Sequence, residues 1–124
     1  MKVSNVSFKG YQEINKCTRK PDELVAGVLD NARPFLEQIG EAMPAKRDLV
    51  IELSNDSCDT IIKAFDLNLR KKTQTLLAQG TEHTLQEQGL DFVQRIFMGI
   101  KAHSENDFKD ISARFAMRLS RIKL

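Results

Sequence analysis

The amino-acid sequence predicts a mainly α fold, an antiparallel helical bundle of three to four helices, and leaves a minor N-terminal β element open at residues 2–8 and 48–54. Apolar residues recur at the spacing of one helix face over 58–79, 82–102 and 105–122. Short connections separate these segments, which favours antiparallel neighbours. The length of 124 residues, with 41% hydrophobic and 29% charged residues, is typical of one soluble domain with a single core.

The domain expected over 1–124 begins with an arm that precedes the helical part. Residues 2–8 alternate apolar and polar side chains, which is typical of a short edge strand or an ordered arm. Residues 10–20 are polar and lack periodicity, so they predict a loop. The bundle is expected to extend over 21–124.

The first helix is expected to begin at Pro21, because proline suits the first turn of a helix. Its apolar face consists of Val25, Val28, Leu29, Ala32, Phe35, Leu36 and Ile39. Pro34 lies inside this pattern and removes one helical hydrogen bond, which predicts a kink or a break near 31–33. Gly40 and Pro44 should end the helix.

The stretch 48–54 fits either a strand or the first turns of a helix that continues to residue 78. As a strand, it would place three apolar side chains on one face, namely Leu49, Ile51 and Leu53. Residues 54–60 have poor helix propensity and are rich in capping types. They favour a break, with a new helix beginning near Asp56 or Ser57.

Three helices are predicted from residue 58 onwards. The apolar residues of the helix over 58–79 are Cys58, Ile61, Ile62, Phe65, Leu69 and Leu76. Gly80 and Thr81 separate it from the helix over 82–102, and Ser104 is expected to cap the last helix. The side chains expected in the core are Phe65, Phe92, Ile96 and Phe115.

No pattern in the sequence indicates catalysis or a bound cofactor. The two histidines, His83 and His103, lack partners at metal-ligand spacing within one predicted helix. The six glycines are scattered singly, so the sequence contains no glycine-rich phosphate loop. The spacing of Cys17 and Cys58 matches no metal or redox motif, and we expect two free, partly buried thiols. We therefore expect no enzyme activity, no metal, no cofactor and a cytoplasmic location.

Basic residues are the candidate binding residues. The net charge of +2 is too small to indicate nucleic-acid binding by itself. A row on the last helix is formed by Arg114, Arg118 and Arg121, at spacing i, i+4 and i+7. A second cluster consists of Arg70, Lys71 and Lys72. Such cations bind an acidic protein groove or phosphate groups, or else they form a solvated flank that covers the edge of the core.

These features predict a non-enzymatic helical protein–protein interaction or assembly module, acting as an adaptor, an inhibitor or a structural component. Its partner is expected to be another protein with an acidic surface. Leu90, Met98 and Met117 fall outside the main apolar stripes and leave a homo-oligomer open. The alternatives are a nucleic-acid-associated protein that uses the basic C-terminal helix, and a small enzyme with a scattered site. No apolar run is long enough for a membrane span.

Overall fold

The computed structural model describes residues 5–8 and 10–121, and within them the chain has an α/β fold. The five strands are β1 (Asn5–Phe8), β2 (Tyr11–Asn15), β3 (Arg47–Asn55), β4 (Thr60–Asn68) and β5 (Thr73–Thr81). The three helices are α1 (Glu23–Ala42), α2 (Leu90–His103) and α3 (Glu105–Ser120). The predicted mainly α bundle is therefore wrong.

The strands form one mixed sheet in the order β1-β2-β3-β4-β5. Strands β2 and β3 run parallel, so the chain needs a crossover between them, and α1 provides it. Strands β3, β4 and β5 are antiparallel neighbours joined by tight turns. Strands β2–β5 make a four-stranded mixed sheet, and the short strand β1 pairs antiparallel with β2 at its edge.

The three helices contact one another and form a layer on one face of the sheet. The core lies between this layer and alternate strand residues, which include Leu49, Ile51, Leu53, Ile62 and Ala64. Because successive strand residues point to opposite faces, the intervening residues lie on the other side. Its apolar members are Ile14, Val50, Ile61, Phe65, Leu67 and Leu76, and none belongs to the core. We refer to the two sides as the covered face and the open face.

At two glycines, the backbone of a helix lies in direct contact with the backbone of the sheet or of its β1–β2 turn. A Cβ at Gly10, which has a φ of 77°, would lie 2.1 Å from the carbonyl oxygen of Gly40 at the end of α1. A Cβ at Gly99 in α2 would lie 2.1 Å from the carbonyl oxygen of Leu77. Both positions therefore require glycine, and α2 lies directly against the backbone of β5.

The predicted helix over 58–79 is wrong, because β4, a turn and β5 occupy this segment. Strand β4 carries apolar side chains on both faces: Ile62 points to the covered face, and Ile61 and Phe65 point to the open face. A strand with two apolar faces reproduces the i, i+3, i+4 spacing of a helix. The basic cluster expected in the middle of that helix lies in the β4–β5 turn.

Three smaller expectations also differ from the structure. Helix α2 begins at Leu90 rather than near residue 82, and Gly89 is its N-cap with a φ of 77°. The loop expected over 10–20 contains β2, because Tyr11 is buried against the helices. The helix expected near Asp56 is a turn in which the Asp56 carboxylate accepts two backbone N–H groups.

Other elements are confirmed. Strand β3 covers 48–54, and β1 covers part of 2–8, of which residues 2–4 lie outside the described chain. Helices α1 and α3 form near the predicted bounds, and Ser104 caps α3 by accepting the Asp107 N–H at 3.1 Å. The break predicted near 31–33 is wrong, because α1 runs uninterrupted from Glu23 to Ala42 with the exposed Pro34 inside it.

The predicted core is correct in α2 and wrong in β4. Phe92 and Ile96 are fully buried. Phe115 is partly buried and packs against the core, and its ring centroid lies 5.1 Å from that of Phe97. Phe65 lies instead on the open face. No described helix is long and apolar enough to cross a membrane.

Candidate functional site

The open face carries a ladder of apolar side chains across three strands. The sheet register places Val50, Phe65 and Leu76 side by side on β3, β4 and β5. Val50 is only 1% exposed although it lies outside the core, so its neighbours on the open face cover it. Leu76, on the outermost strand, is 42% exposed. The accessible part of the ladder is therefore Phe65 and Leu76, and an exposed apolar patch on a sheet face that no described helix covers is typical of an interaction site.

Charges of both signs surround this ladder. The Asp48 carboxylate accepts a hydrogen bond from Gln12 Nε2 at 2.7 Å. The Glu52 carboxylate lies 3.2 Å from Lys16 Nζ and next to Lys63 in the sheet register. The open face is therefore apolar along its centre and mixed in charge around it.

The β4–β5 turn at one end of the sheet is cationic. The β4–β5 turn presents three exposed cations, Arg70, Lys71 and Lys72. Asn68 shapes this turn, because its Oδ1 accepts the backbone N–H groups of residues 70 and 71 at 3.1 and 3.0 Å. Leu69 in this turn is 44% exposed and lies beside Met43 and Pro44 at the end of α1.

Lys46 lies next to this turn and adds a fourth cation. Its carbonyl oxygen accepts the Leu69 N–H at 2.9 Å, and its side chain is exposed. Within the described chain, these four cations form no ion pair with a carboxylate. We call Lys46, Arg70, Lys71 and Lys72 the cationic end.

The opposite end of β4 is acidic. Asp56 is exposed, and hydrogen bonds from the backbone N–H groups of Asp59 and Cys58 lower the pKa of its carboxyl. Asp59 Oδ1 lies 3.3 Å from His83 Nε2. Glu82 follows β5 and lies at the same end. We call Asp56, Asp59 and Glu82 the acidic end.

Part of the acidic end could hold a metal ion. One potential ligand atom each from Asp59, Glu82 and His83 lies within 4.8 Å of the others. Glu82 Oε2 is buried and has no hydrogen-bond partner among the described residues. His83 is largely exposed, with 72% of its side chain accessible, and its Nε2 lies 3.3 Å from Asp59 Oδ1 and 3.8 Å from Glu82 Oε1.

The three arginines of the α3 row have different surroundings. Arg118 Nη1 contacts Glu41 Oε2 at the end of α1 at 2.5 Å. Arg114 and Arg121 are exposed on either side of this ion pair. The structure thus divides the predicted row and uses its central arginine to join α3 to α1.

A second arginine also has a structural role. Arg47 forms an ion pair with Asp66 and contacts Asp107 Oδ2 at 3.0 Å. The hydrogen bond to Asp66, together with that to Asp107, raises the pKa of the Arg47 guanidinium. These contacts join the start of α3 to strands β3 and β4, so Arg47 is engaged and does not belong to the cationic end.

The main buried polar group lies under α1. Glu13 on the covered face accepts hydrogen bonds from Tyr11 Oη at 2.8 Å and from Arg33 Nε at 2.6 Å. Burial, followed by the adjacent Glu13 charge, raises the pKa of Tyr11. A cavity of about 300 Å³ adjoins these groups, lined mainly by apolar atoms of residues such as Leu29. Because Glu13 and Arg33 bind each other, the network positions α1 over β2.

Sequence reasoning found the cations of the turn but missed the open face. The three residues expected to form a second apolar surface, Leu90, Met98 and Met117, are 49–65% exposed on α2 and α3. The open-face residues of β4 were instead assigned to a helix. The signal that could have revealed them is the alternation of Ile61, Lys63, Phe65 and Leu67 on one side of a strand.

Comparison of the chain with protein-family models, curated proteins and solved structures finds no match.

Proposed function

We propose that this chain is a non-enzymatic protein–protein interaction module and that the open face binds its partner. The observation that carries this proposal is the apolar patch that Phe65 and Leu76 form above the buried Val50, on a sheet face that no described helix covers. Covering such a surface stabilises a complex by removing apolar area from water. The helices and the buried ion pairs provide a rigid support for it.

The partner surface that fits is apolar at its centre and acidic where it meets the cationic end. Lys46 and the turn cations lie beside Leu69, so an acidic group near an apolar contact would be close to several free positive charges. Charge complementarity of this kind increases the association rate and selects the orientation of the partner.

Nucleic acid fits this surface less well. A phosphate backbone that crossed the open face would meet the carboxylates of Asp48 and Glu52 as well as the cations. Four cations at one end supply only a modest phosphate affinity, since each contact adds a small salt-dependent contribution. The proposal therefore concerns a protein partner.

Two leucines provide a matched pair of variants for the test. Leu76 is 42% exposed on the open face, and Leu90 is 49% exposed at the start of α2. We expect Leu76→Arg to reduce partner binding at least tenfold, because a charge would replace the most exposed side chain of the apolar ladder. Leu90→Arg should leave binding within about twofold of the wild type.

The measurement is quantitative affinity capture, followed by determination of Kd with the purified partner for each variant. Far-UV circular dichroism and thermal unfolding confirm that both variants remain folded. Equal partner recovery by wild type and Leu76→Arg would contradict the proposal. Salt-sensitive binding to duplex DNA or RNA that survives Leu76→Arg would favour nucleic acid instead.

A second pair of variants compares the two basic surfaces. Arg70→Glu with Lys71→Glu reverses two exposed charges of the cationic end, and Arg114→Glu with Arg121→Glu makes the same change on α3. We expect the first pair to weaken partner binding, with a loss that shrinks as salt concentration rises. If only the α3 pair weakens binding, the partner uses the last helix rather than the open face.

A further inference from the structure

We propose that the partner which covers the open face is a second copy of this chain, related to the first by a two-fold axis perpendicular to the strands. This inference rests on the proposed function, and it names the occupant of the same surface. It follows from the distribution of charge at the two ends of β4.

The open face is complementary to itself when one copy is reversed. Strand β4 runs from Thr60, beside the acidic end, to Asn68, beside the cationic end. The two ends of this nine-residue strand are about 27 Å apart at about 3.4 Å per residue. The apolar ladder lies between them, so each copy offers a positive end, an apolar centre and a negative end.

Symmetry allows two ways to bring two such faces together. A two-fold axis parallel to the strands places the cationic end of one copy against the cationic end of the other. An axis perpendicular to the strands places each cationic end against the partner's acidic end. Like charges in contact are unfavourable and opposite charges are favourable, so the geometry selects the perpendicular axis.

The residues at the two ends support this pairing. At the cationic end, Lys46, Arg70 and Lys72 are exposed and form no ion pair among the described residues, whereas Lys71 lines a cavity with Asp66 and Asp107. The acidic end has three carboxylates, and Arg19, whose Nη1 donates to the Asp56 carbonyl oxygen at 3.1 Å, offsets part of their charge. In the reversed dimer, the cationic end of each copy faces the acidic end of the other. The two-fold symmetry therefore places opposite charges together at both ends of the interface.

Reversed sheets that pack face to face give a known type of sandwich. Packed sheets align within about 30° of each other and lie about 10 Å apart, with side chains of the inner faces interdigitating. Four strands of this length cover about 500 Å² per copy, which is small for a specific interface. We therefore expect a reversible dimer whose population depends on protein concentration.

The first experiment is sedimentation velocity of the full chain over a series of protein concentrations. We expect a monomer–dimer equilibrium that Leu76→Arg weakens at least tenfold and that Leu90→Arg leaves within about twofold. Arg70→Glu with Lys71→Glu should weaken the dimer and reduce its dependence on salt. The matched α3 pair, Arg114→Glu with Arg121→Glu, should leave it unchanged.

The second experiment tests the orientation with the natural thiol of Cys58. Cys58 is exposed and lies in the β3–β4 turn, at the acidic end. A short amine–thiol cross-linker applied to a mixture of isotopically light and heavy protein should join Cys58 of one copy to Lys71 or Lys72 of the other. Within one copy these residues lie at opposite ends of β4, beyond the reach of such a linker.

The outcomes separate this inference from the proposed function. Mixed-isotope Cys58–Lys71 products together with a Leu76-dependent dimer support the reversed dimer. Links that join Cys58 to Cys58 through a thiol–thiol reagent, with none to the turn lysines, would overturn it. The wild-type chain could stay monomeric while Leu76→Arg loses binding to a different protein. That result would overturn the dimer but not the proposed function. A chain in which Leu76→Arg changes neither readout would contradict both.

Discussion

The two faces of the sheet use similar residues for different purposes. Ile62 on the covered face is fully buried under the helices, whereas Ile61, its neighbour in β4, lies partly exposed on the open face. The covered face also contains the Glu13–Arg33 ion pair, which is internal to the molecule, and the open face ends in cations without described partners. One strand therefore contributes one set of residues to the core and presents the other set on the open face, which we propose binds the partner.

The largest expected effect separates Ile62 from Ile61. Ile62→Ala should lower the free energy of unfolding by about 2–5 kcal/mol, because it leaves a cavity in the core. Ile61→Ala should lower it by less than about 1.5 kcal/mol, since part of that side chain is already in water. Urea unfolding at a protein concentration that favours the monomer provides the measurement. Equal losses in the free energy of unfolding for the two variants would contradict the placement of Ile62 in the core and Ile61 on the open face.

An intermediate effect is expected at alkaline pH, from Tyr11 on the covered face. Burial raises the pKa of Tyr11 in the folded chain above its unfolded value of about 10. Its contribution to stability is therefore complete below about pH 10 and is lost as the pH rises above that value.

Tyr11 is the single tyrosine of the chain, so tyrosinate absorbance follows it directly. We expect ionisation to coincide with unfolding as measured by circular dichroism. A Tyr11→Phe variant serves as the control, and its unfolding should no longer show this alkaline dependence. Ionisation of Tyr11 in the intact fold near pH 10 would contradict its buried placement.

The smallest effect concerns the two thiols. Cys17 is buried, and burial raises the pKa of its thiol, whereas Cys58 is exposed at the acidic end. We expect one thiol per folded chain to react rapidly with a thiol reagent and the second only on unfolding, because the thiolate is the reactive form. Cys58→Ser should abolish the fast reaction, and Cys17→Ser should preserve it. Two fast thiols in the folded wild type would contradict the burial of Cys17.

The sequence was sufficient to predict an element correctly where one face of that element is apolar and the other is polar. Helices α1 and α3 were predicted from such stripes, and Ser104 from its capping position. Strand β4 could not be assigned this way, because it has apolar side chains on both faces. The loss of periodicity in β2 has a related cause, since Glu13 occupies a buried position that a core strand usually gives to an apolar residue.

The candidate site was predictable only in part. The cluster of Arg70, Lys71 and Lys72 is visible in the sequence, because adjacent residues stay together in any fold. The loss of Arg118 from the α3 row was not predictable, since its partner Glu41 is distant in the sequence and meets it only through the packing of α3 on α1. The open face depends on the register of three strands, which local patterns do not specify.

The parallel pairing of β2 with β3 has a consequence for the chain as it leaves the ribosome. Strand β2 emerges before β3, its parallel neighbour, which ends at Asn55 and so is complete only roughly 2–8 s later at about 5–20 residues per second. During this interval β2 is an edge that could pair with other nascent chains. The charge of Glu13 in the middle of β2 disfavours such aggregation. Arg33 emerges on α1 before β3 is complete, so its binding neutralises Glu13 when the strand is ready to enter the sheet.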